Sequence, residues 1–97
     1  MKKWNHAIYI MANQRNGTLY TGVTNHLINR VYQHKQGIQS GFTKQYSCSK
    51  LVYYELHADM CSAIAREKQI KAGSRKKKLT LIESINPRWL DLFETLF

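Results

Sequence analysis

Apolar and polar positions follow two different rhythms along this chain. His6-Ala-Ile-Tyr-Ile-Met11 is a short apolar run rich in strand formers and reads as a strand. In the following Asn13-Gln-Arg-Asn-Gly17, the pair Asn16-Gly17 is a strong turn signal, and Thr18-Leu-Tyr-Thr-Gly-Val23 reads as the returning strand of a hairpin. The rhythm then changes, because Leu27, Val31, His34 and Ile38 recur at helical spacing. A helix from about His26 to Gln36 is expected, with Thr24 and Asn25 as candidate caps and Gly37 as its stop. Residues 40–49 are polar and predict a loop, after which Lys50-Leu-Val-Tyr-Tyr-Glu-Leu56 reads as a third strand.

The remainder is helical in pattern. Asp59 is placed to cap a helix running to about Ala72, ended by Gly73, and Ser74 to cap another from Arg75 to Ser84, blocked by Pro87. Trp89 to Phe97 is a short amphipathic tail, expected to be helical, that can lay Trp89, Leu92, Phe93 and Leu96 on the core. The order β-β-α-β-α-α, with a short C-terminal helix, predicts an α+β fold: a small, three-stranded, mainly antiparallel sheet flanked by helices. No internal repeat or Pro/Gly-rich linker interrupts it, and 97 residues suit a single domain spanning 1–97.

Charge narrows the function. Fifteen Lys and Arg against six Asp and Glu give a formal net charge of +9, which attracts polyanions through phosphate neutralisation and counterion release. The excess is clustered. Residues 66–78 hold Arg66, Lys68, Lys71, Arg75, Lys76, Lys77 and Lys78 with Glu67 as the only acid, whereas the last nineteen residues carry three acids and one Arg. Nucleic acid is the expected partner, with Lys35 and Lys44 extending the basic surface. Cys48 and Cys61 lack the spacing of a zinc site and read as reduced thiols of a cytoplasmic protein. No apolar run approaches the ~20 residues that cross a bilayer, so no membrane role is expected.

Three features carry candidate chemistry. On the second helix Met60, Ala63, Ile64 and Ile70 fall on one stripe, and Glu67 falls near its middle. An ionised carboxylate facing a core is costly unless it is paired or holds a metal; the competing reading is a surface pair with Lys71 at i+4. Arg30 and His34, at i and i+4 of the first helix, share a face, one suited to phosphate and the other to proton exchange. Tyr9 and Tyr20 lie on the two hairpin strands and share a face only if the connecting loop has an even number of residues.

Together these pieces resemble the GIY-YIG nuclease superfamily. Ala7-Ile-Tyr9 and, after ten intervening residues, Tyr20-Thr-Gly22 match its two triplets, with Ala7 in place of the first Gly and Thr21 in place of the middle Ile. Arg30 ten residues beyond Tyr20, His34 one turn later and the helical Glu67 follow the same pattern. Asn16-Gly-Thr-Leu-Tyr-Thr-Gly-Val-Thr24 and Ala63-Ile-Ala-Arg-Glu-Lys68 are similar to the small stand-alone bacterial members, and the likeness covers roughly residues 5–90. The resemblance implies an endonuclease that hydrolyses phosphodiester bonds in DNA, of a kind acting in repair, recombination, restriction and intron mobility. It implies a single Mg²⁺ (or Mn²⁺) held by Glu67, Arg30 countering charge on the phosphate, and a tyrosine hydroxyl as general base assisted by His34, with Tyr9 favoured as base and Tyr20 as orienter. The alternative is a nucleic-acid-binding module of the same fold that is catalytically silent. No separate recognition domain is evident, so structure-selective, weakly specific and partner-directed cutting all stay open.

Overall fold

The first strand, β1 (His6–Ala12), is buried at every position but His6, which is half-buried. That is the burial of a central strand covered on both faces, and it explains why the run lacks polar alternation. β1 lies between β2 (Leu19–Thr24) and β3 (Lys50–His57) in the order β2-β1-β3. Both pairings are antiparallel, so the described sheet is antiparallel throughout. The structure, a computed structural model, describes residues 6–37 and 46–97; Ile38, Lys44 and most of the expected 40–49 loop lie outside them.

Two apolar clusters sit on opposite faces of this sheet. Ile8, Ile10 and Ala12 face α2 (Met60–Ala72) and α3 (Arg75–Ile85), packing with Ala63, Ile70, Ile82 and Trp89. Ala7, Tyr9 and Met11 face α1 (Leu27–Lys35) and the C-terminal tail, packing with Leu27, Val31, Leu51 and Leu96. The α+β sheet is thus helix-covered on both sides. A bulge in β3 divides its residues between the faces. Ile10 is opposite Tyr53 and Met11 opposite Leu51, which leaves Val52 as the extra residue. Val52 and Tyr53 therefore pack with the α2–α3 side, and Leu51 and Tyr54 with the α1 side.

Helix ends follow local chemistry. Asp59 accepts a hydrogen bond from the Ser62 amide at 2.7 Å to cap α2, and Ser74 accepts one from the Lys77 amide at 3.1 Å to cap α3. Gly73 ends α2, and Asn86, just before Pro87, ends α3. For α1 the expectation needs correction. The capping position is His26, whose side chain makes no capping bond, while Thr24 Oγ1 instead accepts from the His26 amide at 3.0 Å. Past α1, Gly37 takes the left-handed φ of +68° and its amide donates to the His34 carbonyl at 3.1 Å.

The tail departs from a continuous helix. Trp89 adopts a left-handed φ of +55°, and only Leu92–Leu96 coils, as a 3-10 turn. The kink sends Trp89 into the α2–α3 cluster, where Nε1 donates to Glu83 at 2.8 Å, and carries Leu92, Phe93 and Leu96 to the α1 cluster. Two residues fix this crossing. Asn86 Nδ2 donates to the Val52 and Leu90 carbonyls at 3.0 and 2.9 Å. The Asp91 carboxylate accepts from the Leu51 amide at 3.2 Å and the Phe93 amide at 3.0 Å, and pairs with Lys35 Nζ.

Candidate active site

Strand parity decides the centre of the site. The β1–β2 loop, residues 13–18, has an even count, and Met11 pairs with Tyr20 while Tyr9 pairs with Gly22. Residues directly opposite project to one face, as do positions two apart on a strand. Tyr9 and Tyr20 accordingly share the α1 face, with ring centroids 6.4 Å apart. Gly22 has a steric task there: a Cβ at this position would stand 2.5 Å from both Cζ and the hydroxyl of Tyr9. Only a residue without Cβ leaves room for that phenol.

Helix α1 brings the other two groups. Leu27, Val31 and His34 form its buried stripe, so the imidazole arrives on the sheet as a core residue. The Tyr9 hydroxyl and His34 Nε2 lie 3.0 Å apart in a buried hydrogen bond. It runs from Tyr9 to nitrogen when the ring proton is on Nδ1, and from nitrogen to Tyr9 when it is on Nε2. The His34 ring is 5.6 Å from that of Tyr9 and 5.5 Å from that of Tyr20, closing a triangle of three rings. His34 Nδ1 is buried with no hydrogen-bond partner among the described residues.

Burial above all keeps Tyr9 and His34 neutral. Burial, together with the neighbouring Tyr20 and Glu67, pushes the Tyr9 hydroxyl up to about 12, although the charge and hydrogen bond of Arg30 pull the other way. Burial and then the Arg30 charge hold His34 down at about 4. Arg30, half-buried one turn before His34, therefore acts on both groups.

Glu67 enters from the opposite layer, on the helix that packs mainly on β2 and β1. The expected stripe holds for Met60, Ala63 and Ile70, but Ile64 is exposed and does not belong to it. The Glu67 side chain is only 15% exposed, and its Oε2 pairs with Lys71 Nζ at 3.3 Å. The i+4 pair and the inward carboxylate therefore coexist. Tyr9, Tyr20, Arg30 and His34 thus meet on the α1 face, and Glu67, carried by a helix of the other face, is linked to them by its charge acting on Tyr9.

The basic residues are dispersed by comparison. Lys35 is engaged by the tail, pairing with Asp91, donating to the Ser49 carbonyl at 3.0 Å and lying over the Phe93 ring. Lys71 is occupied by Glu67, and Arg75 Nη2 donates to the carbonyls of Asn16 and Gly17 at 2.8 and 2.7 Å. Lys68, Lys76 and Lys77 are exposed and Lys78 half-buried, while Lys44 lies outside the described residues.

One polar network has no counterpart in the expectations. Glu55 on β3 accepts from Arg66 Nε at 3.0 Å and from Arg66 Nη2 at 3.0 Å, and contacts Tyr53 and His57. Burial opposes its ionisation, but hydrogen bonds from Arg66, Tyr53 and His57 prevail and hold the carboxyl below the usual range. The signal was Tyr53-x-Glu55-x-His57, three polar-tipped residues at strand spacing. This network ties α2 to β3 through the residue next to Glu67.

Cys48 is buried and Cys61 exposed, and both are free thiols. Among the described residues no helix is long and apolar enough to cross a membrane.

Comparison with known proteins places the arrangement. Residues 5–80 match the GIY-YIG catalytic domain. A UPF0213 protein of Staphylococcus saprophyticus is 39% identical over 77 residues, covering 79% of this chain and 93% of that protein. One from Staphylococcus aureus is 37% identical over 78 residues, covering 80% and 94%. The solution NMR structure of a UPF0213 protein from Bacillus halodurans superposes with a TM-score of 0.57 at 26% identity, covering 90% of this chain and 92% of that one. With the two tyrosine triplets set on paired strands and Arg30 and His34 on the helix beside them, the chain belongs to the GIY-YIG family, a family built on a nuclease domain.

Proposed function

We propose that residues 1–97 act as one Mg²⁺-dependent endonuclease domain that hydrolyses phosphodiester bonds, with DNA as the preferred substrate. The buried Tyr9–His34 pair with Arg30 acting on both groups, and a mostly buried Glu67 whose charge is felt at Tyr9, carry this reading. The donor set suits the metal. One mostly buried carboxylate offers oxygen to a hard cation that keeps several waters, and no group of three or more His, Cys, Asp or Glu among the described residues could form a cage. Mg²⁺ or Mn²⁺ held by Glu67 would neutralise the scissile phosphate and stabilise the leaving oxygen.

The chain's own groups divide the remaining work. Arg30 presents a permanent charge to the phosphate, where its attraction grows as negative charge builds in the transition state. The Tyr9 hydroxyl takes a proton from the attacking water while its own proton moves to His34 Nε2, which is free to accept because burial keeps the ring unprotonated. With Tyr9 raised to about 12 and His34 lowered to about 4, that relay is unfavourable in the unliganded protein. It requires the bound state, in which a cation beside the phenol would favour loss of the Tyr9 proton and the phosphate anion would favour its uptake by the imidazole. Tyr20 orients the water. The Glu67–Lys71 ion pair favours a second reading, a catalytically silent nucleic-acid-binding module, since a silent domain could keep that pair unbroken.

Cleavage of DNA and RNA of varied form, with and without Mg²⁺, separates the two. Glu67→Gln should abolish cutting and leave binding largely intact. Tyr9→Phe should fold, bind and cut about 10²–10⁴-fold more slowly, the usual contribution of a general base. Wild-type protein that binds but cuts nothing would leave only the silent module. Equal turnover in wild type and Tyr9→Phe would remove the tyrosine from the mechanism.

A further inference from the structure

The β1–β2 loop and the first turn of α3 face each other across an open polar groove of about 430 Å³. Asn13, Gln14 and Asn16 line one bank, and Arg75 and Lys78 the other. None of the chain's six acids lies along it. The groove is built rather than incidental. Arg75 Nη2 holds the carbonyls of Asn16 and Gly17, Asn13 Oδ1 accepts from the Thr18 amide at 2.9 Å, and Asn16 takes a left-handed φ of +56° that asparagine tolerates. A loop fixed in this way loses little entropy on meeting a ligand.

Position adds to chemistry. Leu19 also lines the groove; it precedes Tyr20 on β2 and so faces the other side of the sheet, which puts the groove on the α2–α3 face, the side of the helix that carries Glu67. The basic run is sorted by α3. Arg75 and Lys78, three apart, share the groove side, whereas Lys76 borders a different recess with Thr80 and Ser84. A third recess, between α2 and α3, includes Arg66, Lys77 and Lys78, so Lys78 stands on the ridge between it and the groove, and there Arg66 is already neutralised by Glu55.

We propose that the groove seats the sugar-phosphate backbone of the nucleic acid, with Lys78 and Arg75 on phosphate oxygens and the Gln14 and Asn16 amides on adjoining polar groups. It depends on the nuclease reading only in taking the groove, on the Glu67 side of the sheet, as part of the path to the cleaved bond.

The test uses the full chain carrying Glu67→Gln, so that substrate persists, and a short fluorescent DNA duplex. Lys78→Glu should weaken binding roughly tenfold or more and lower the salt slope by about 0.9 for each phosphate no longer neutralised. Lys76→Glu makes the same change in net charge and should weaken binding markedly less. Gln14→Ala should weaken binding roughly three- to tenfold without changing the slope, as expected when an uncharged hydrogen bond is removed. Equal weakening by the Lys78 and Lys76 variants would mean a diffuse charged surface and overturn the proposal, as would absence of binding at low salt. Should Lys78→Glu fail to fold, amide shifts on titrating the duplex into the parent chain decide the matter: shifts within residues 13–18 and 75–78 support the groove, and shifts elsewhere overturn it. If the groove variants behave as expected and the unmutated protein cuts no nucleic acid, the nuclease reading fails and the groove stands.

Discussion

Gly22 shows how a single residue can hold a site open without touching substrate. It lies opposite Tyr9, and the phenol occupies the volume a Cβ would need. Gly22→Ala should therefore push the Tyr9 ring off His34, destabilise the fold by about 1–3 kcal/mol as overpacking does, and depress any nuclease activity. Urea denaturation alongside a cleavage assay checks this, and wild-type values in both would show that the ring yields freely. Much at this scale is legible in the sequence. A glutamate on an apolar stripe and a histidine at core spacing mark themselves by being costly where they stand. Ile64 misleads for the opposite reason, because an aliphatic side chain tolerates exposure and its helical angle alone does not bury it. The shared face of the tyrosines depends on counting loop residues, which sequence permits only once both strand ends are known.

Elements whose ends carry their own chemistry are equally legible. Asp59 and Ser74 cap where a side-chain acceptor precedes an apolar periodicity, and both make the expected bonds. In the tail the packing of Trp89, Leu92, Phe93 and Leu96 on the core is legible but the kink is not, because Trp89 is held in a conformation that bulky residues avoid. Tertiary packing of a large indole outweighs that local cost, and no pattern within the tail announces it. Asp91 is the pivot of the docked tail, joining α1, β3 and the 3-10 turn through Lys35, Leu51 and Phe93. Asp91→Ala should destabilise the protein by about 1–3 kcal/mol, the combined worth of a partly exposed ion pair and two amide bonds. Chemical denaturation measures it, and an unchanged midpoint would reduce the tail to a passive cover.

For the molecule as a whole, nine excess positive charges make one further proton expensive, and burial beside Arg30 makes His34 a poor place to add it. Its value near 4, against an ordinary 6.5, means that the unfolded chain binds a proton the native one refuses. Stability contributed by this group is complete above pH 6.5 and is lost as pH falls toward 4, by about 3 kcal/mol in all. Denaturation midpoints for wild type and His34→Phe should converge across that window as the wild type weakens. Parallel curves would show that the imidazole is not held neutral. The tail has one more effect at this scale, on what the sheet presents to other chains. β3 is an outer strand, and outer strands invite pairing by another polypeptide. At the Leu51–Val52 end that invitation is withdrawn, since the Leu51 amide is taken by Asp91 and the Val52 carbonyl by Asn86. Side chains there occupy the hydrogen-bonding places of a fourth strand, so this rim resists edge-to-edge aggregation with its own tail as the guard.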